Sequence, residues 1–92
     1  MIDTSAVKGT LVDSNPVVVN VSGRRPPVAV WVNPEAGDTV RVEYQIDSAA
    51  PWRAWGQDDV TAYADDVIDR PIGRLRFTRI SGAGTTSAFG VR

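Results

Sequence analysis

The chain predicts an all-β fold, a small antiparallel β-sandwich or barrel built from short hairpins behind an N-terminal arm, and three features carry that expectation. Valine alternates with small or polar residues at a spacing of two, as Val17, Val19 and Val21 do against Val18, Asn20 and Ser22, so one set of side chains faces a core. Clusters of Gly, Pro, Asn and Asp break the apolar runs at intervals of about 8–12 residues, the rhythm of sandwiches and barrels. Helical periodicity is weak: only the stretch 58–68 places Val60, Tyr63, Ala64, Val67 and Ile68 at helical spacings, and its Thr, Val and Asp content lowers the propensity.

In chain order, residues 1–15 show little core periodicity and read as an arm that orders against a partner subunit. Residues 16–92 then form one domain. Pro16 opens the first strand, where a missing N–H does least harm, and Gly23-Arg24-Arg25-Pro26-Pro27 forces an extended link to a strand at Val28–Val32. Asn33 to Asp38 is a turn sequence, with Pro34 early and Gly37 late. Val40, Val42, Tyr44 and Ile46 share one face of the following strand while Arg41, Glu43 and Gln45 share the other. With its short link, this pair of strands reads as an antiparallel hairpin. Loops and one short strand near Val60–Tyr63 are expected between Asp47 and Pro71. Leu75 and Phe77 alternate against Arg74, Arg76 and Thr78, and after the Ser81-Gly82-Ala83-Gly84 turn a strand through Phe89 and Val91 closes a second expected hairpin.

Composition bounds the function. Ninety-two residues make a single domain that buries about 60–65% of its unfolded surface, so oligomer contacts would add useful stability. Ten Lys and Arg against eleven Asp and Glu give a net charge of −1, which supplies no field to gather nucleic acid or anionic lipid. The longest apolar run, Val28 to Val32, is far short of the roughly 20 residues that cross a bilayer. No secretory leader is legible at Met1-Ile2-Asp3-Thr4-Ser5, and a protein made in the cytoplasm and soluble there is expected. With no cysteine and no histidine, neither a thiolate metal site nor a histidine base for a serine nucleophile exists. No phosphate-binding glycine loop occurs either, so no cofactor and no enzymatic activity are expected.

Several groups still invite a site. Asp58, Asp59, Asp65, Asp66 and Asp69 are dense enough in oxygen to suggest Ca²⁺, but their spacing is not that of an EF-hand loop, and they read as solvated loop carboxylates. Acid–base use of two of them in glycoside hydrolysis would need a cleft setting them about 5–10 Å apart, for which a domain this small has little room. Trp52 and Trp55 flank Arg53-Ala54 and suit either sugar stacking or packing, with one buried and one exposed as the expected arrangement. Arginine outnumbers lysine heavily, Lys8 being the one lysine. Arg24, Arg25, Arg74 and Arg76 are therefore candidate interface residues, because guanidinium tolerates desolvated contacts better than ammonium.

The order Val42-Glu43-Tyr44-Gln45-Ile46-Asp47, Pro51-Trp52-Arg53-Ala54-Trp55, Asp66 to Ile72, then Leu75 to Gly82 with a closing Gly90-Val91-Arg92 resembles small β-sandwich proteins of tailed-bacteriophage particles. The likeness covers about residues 40–92 and departs at Asp47-Ser48-Ala49-Ala50, where such chains often carry glycines. It implies a viral structural protein of the virion, a capsid decoration (cement) protein that binds the major capsid protein or other virion subunits as a homo-oligomer. The alternative is a tail or fibre module that binds host-surface carbohydrate through Trp52 and Trp55. A small regulatory β protein is a third reading, which the near-neutral charge makes unattractive for DNA.

Overall fold

A computed structural model describes residues 7–56 and 59–92. It contains eight strands: β1 (Val7–Leu11), β2 (Val17–Asn20), β3 (Val28–Asn33), β4 (Thr39–Gln45), β5 (Arg53–Ala54), β6 (Ala64–Ile68), β7 (Arg74–Ser81) and β8 (Ser87–Val91). They form two four-stranded antiparallel sheets, β1-β8-β3-β6 and β2-β7-β4-β5, packed face to face as a small β-sandwich. The fold class expected from the alternation is the one observed, and no helix forms among the described residues.

The pairing follows a nested rule. β1 pairs with β8, β2 with β7, β3 with β6 and β4 with β5, while β3–β8 and β4–β7 contacts join these pairs into sheets. This is the order produced when one long antiparallel ribbon is rolled over itself, the jelly-roll arrangement.

That topology corrects both expected hairpins. β3 and β4 lie in opposite sheets, as do β7 and β8, so residues 34–38 and 82–86 cross between layers. Only β4 and β5 are joined as neighbours in one sheet. The physical reason is that an inward valine row is best covered by another such row: Val32 and Val40, both fully buried, line the core from facing sheets. Alternation fixes which side of a strand turns inward and is silent on its neighbour.

The N-terminal boundary also differs from the expectation of an arm over 1–15. Residues 7–11 pair along their whole length with β8, and Leu11 is part of the core. Val7, Gly9 and Leu11 share the inward side, a short period-two pattern that Gly9 hides in the sequence. Gly9 is required there, because a Cβ would run into the ring of Phe89. Residues 1–6 of the expected arm lie outside the described residues.

Between Asp47 and Pro71 the strand falls at 64–68 instead of 60–63, and Val60 makes an isolated bridge to Val40. The helical alternative over 58–68 gives way because β3 offers an open edge: residues 64–68 satisfy their backbone groups along it, and Ile68 reaches the core.

The two inner faces interlock through aromatic rings. Phe77 of β7 and Phe89 of β8 stack with centroids 4.4 Å apart, in a core that also holds Val19, Val30, Val32, Val42 and Leu75.

Candidate functional site

Each sheet presents one outward face, and the polar chemistry of the chain is divided between them. On β2-β7-β4-β5, the register sets Arg76 opposite Glu43 and Arg74 opposite Gln45. Directly opposed residues of an antiparallel pair share a face with Cβ atoms about 5 Å apart, and here both pairs close. Arg76 forms an ion pair with Glu43 at 2.9 Å, while Arg74 donates from Nε to Gln45 Oε1 at 2.8 Å. Gln45 in turn donates to the Ala50 carbonyl at 2.8 Å, which ties the 46–52 loop to the sheet.

Trp52 sits above this pair. The Arg76 guanidinium lies 4.3 Å and that of Arg74 5.4 Å from its ring centroid, both within cation–π range. Arg74 and Arg76 thus face outward as the alternation requires, and the structure brings them together with Trp52.

Trp55 is separated from that cluster. It is buried in the core, and its Nε1–H has no hydrogen-bond partner among the described residues. Its backbone N–H donates to Val42 at 3.2 Å, extending the short β5 pairing. One tryptophan buried and one exposed is the arrangement expected; Trp55 is buried but Trp52 is half-buried, and the two do not make a joint stacking platform, since Trp55 is enclosed and guanidinium groups occupy Trp52.

The other candidate arginines stand apart from the cluster in sequence and surroundings. Arg24 is buried, with its backbone N–H on the Val21 carbonyl at 3.0 Å, whereas Arg25 is exposed. The intervening link carries a cis peptide bond between Pro26 and Pro27.

The outward face of β1-β8-β3-β6 holds a feature that the sequence reading passed over. Lys8, Gly90, Trp31 and Asp65 occupy one row across four strands, and the Trp31 indole lies over Gly90, where a Cβ would overlap it. A groove of about 480 Å³ runs along this surface, lined by Trp31, Tyr63, Asp65, Val67, Lys8 and Arg92 among others. The pKa of Tyr63 is raised, chiefly by the Asp65 carboxylate beside its hydroxyl. The signal for Trp31 was present: with Val28, Val30 and Val32 inward, the same alternation sends Ala29 and Trp31 out.

The acidic residues disperse. Asp59 pairs with Arg41 at 3.0 Å, Asp65 lies in register with Trp31, and Asp66 accepts the N–H of Val67 at 2.8 Å. Asp58 lies outside the described residues. Among the described residues no group of three or more His, Cys, Asp or Glu is arranged to hold a metal ion.

One carboxylate has a structural post instead. Asp38 is buried, accepts the Ser87 hydroxyl at 2.7 Å and the Gly84 N–H at 3.0 Å, and has its pKa lowered chiefly by the Ser87 bond and next by Gly84. Ser87 also accepts the Glu35 N–H at 2.8 Å. The two crossing loops are therefore fastened to each other. Gly37, at φ +90° in the turn closed by Asp38 N–H to the Glu35 carbonyl at 2.9 Å, supplies the left-handed backbone that this turn needs.

No helix among the described residues is long and apolar enough to cross a membrane. Comparison of the chain with protein-family models, with curated proteins and with solved structures finds no match.

Proposed function

We propose that the protein is a non-enzymatic structural component of a tailed-phage virion, a decoration protein that grips the major capsid protein with the outward face of β2-β7-β4-β5. The observation that carries this reading is the Trp52–Arg76–Arg74 cluster. Tryptophan and arginine are the residue types most enriched among interface hot spots, and here Glu43 and Gln45 already hold both guanidinium groups in place. Such prior ordering reduces the side-chain entropy lost on association.

The resemblance over residues 40–92 supports the same setting, and the jelly-roll order is compatible with it, since that fold serves viral capsid proteins as well as lectins. Small sheet proteins also gain from neighbours that cover their edge strands. Homo-oligomerisation on the particle surface belongs to this proposal, with virion localisation following from it.

The test is co-sedimentation of the purified protein with empty capsids of the cognate major capsid protein. Retention that falls in Trp52→Ala and in Arg76→Ala, with circular dichroism unchanged, is the expected result. Failure of the unaltered protein to sediment with capsids refutes the proposal. The carbohydrate-binding fibre reading through Trp52 and Trp55 finds less support, because the side chains it depends on are respectively stacked by arginine and enclosed in the core.

A further inference from the structure

We propose that the groove on the outward face of β1-β8-β3-β6 is a binding site for a neutral saccharide, with Trp31 as its stacking platform and Asp65 as its principal hydrogen-bond acceptor. The site is distinct from the arginine-rich face assigned to the capsid and does not depend on that assignment.

Four observations lead to this occupant. First, the Trp31 indole spreads across Gly90, whose missing side chain is the reason that the ring can lie down on the sheet. An indole seated in this way has one face used by backbone and the other turned to the groove, which suits the C–H face of a pyranose ring. Second, Asp65 stands in register beside Trp31 and is exposed, with Tyr63 lining the same groove. An exposed carboxylate offers its lone pairs to ligand hydroxyl groups.

Third, the groove mixes signs: Asp65 stands with Lys8 and Arg92, while Asp66, in register with the inward Val30, belongs to the other side of β6. Groups of both signs favour no strongly charged ligand, while these donors and acceptors suit a molecule made of hydroxyl groups. Fourth, the volume of about 480 Å³ lies within the range of small-ligand sites, about 300–1,000 Å³. Val67 and Tyr63, both more than half exposed, continue the apolar floor beyond the indole, so the surface accommodates a chain of sugars better than a single one.

The alternative occupant is a second copy of the chain, and the experiment separates the two. The ¹⁵N-labelled protein is titrated with neutral hexasaccharides of glucose, mannose, galactose and N-acetylglucosamine at millimolar concentration, with polygalacturonate as the anionic probe. The expected result is a shift of the Trp31 indole N–H and of the Lys8 and Val67 amides with at least one neutral probe. Trp31→Ala should weaken binding about tenfold or more. Tyr63→Ala, at an exposed position that folding tolerates, should weaken it as well, and Trp52→Ala should leave it unchanged. The proposal is overturned if none of the neutral probes moves these resonances, if polygalacturonate alone does, or if the same resonances shift with protein concentration in the absence of sugar and sedimentation shows a dimer that Trp31→Ala abolishes.

Discussion

Phe77 and Phe89 stack with ring centroids 4.4 Å apart and planes inclined by 19°, and this contact joins the two sheets at the centre of the core. Phe77 pairs in register with both Val17 and Val42, and Phe89 with both Gly9 and Val32. Each ring therefore stands on a central strand and is covered by the opposite sheet. Phe89→Ala is expected to cost about 3–5 kcal/mol, by lost transfer free energy plus the cavity left behind. For a domain whose whole stability is about 5–15 kcal/mol, urea unfolding should show a midpoint displaced far toward zero with a similar slope. A change under 1 kcal/mol would mean that the rings do not bridge the layers.

Gly90→Ala tests the seat of Trp31. The new methyl group would meet the indole, and the ring must lift from the sheet. We expect a destabilisation of about 1–3 kcal/mol from overpacking, together with a red-shifted tryptophan emission that Trp31→Phe eliminates. An unshifted spectrum with unchanged stability would show that the indole does not lie there.

Asp38 links the stability of the fold to pH. Its pKa is lowered from 3.8 in the folded state, so its contribution to stability is fully present above that unfolded value and disappears as pH falls through the lower folded one. Asp38→Asn removes an ionisable group, and the variant should be less stable at neutral pH while the gap to the unaltered protein narrows below about pH 4. Thermal unfolding of both proteins between pH 2 and pH 7 measures this. Parallel curves across that range would deny Asp38 the role.

The Arg76–Glu43 pair has side chains only 28% and 19% exposed, yet it lies on a sheet surface where cross-strand pairs contribute little. A double-mutant cycle with Arg76→Ala and Glu43→Ala is expected to give a coupling of about 0.5–1 kcal/mol. Either loss should also raise the mobility of Trp52, visible as reduced fluorescence anisotropy. If the arginine face is a docking surface, its effect on capsid retention must exceed its effect on folding.

The parts of the molecule legible in the residues are those governed by local periodicity. Val17, Val19 and Val21, then Val40 and Val42, disclose their inward sides directly, and Pro34 with Gly37 marks a turn that forms where expected. Arg74 and Arg76 turn outward for the same reason. Trp31 was obscured because Val28-Ala29-Val30-Trp31-Val32 is apolar on both faces, so hydrophobicity cannot tell the core side from the solvent side, and parity only sets Trp31 opposite the valine row. β1 was obscured by Gly9, which interrupts an inward row precisely because the partner ring of Phe89 fills its space.

By itself, the amino-acid order determined that the chain is built of strands, which faces they bury, and that no cysteine or histidine chemistry is available to it. Only the tertiary structure decided that successive strands, β4 and β5 excepted, lie in opposite sheets, that Trp55 is enclosed while Trp52 is stacked by arginine, and that Trp31 and Asp65 meet on one surface. Alternation is a property of a single strand and costs nothing to read. Pairing depends on which distant edge offers the better set of hydrogen bonds and the better cover for a valine row, and that choice exists only when the two sheets are assembled.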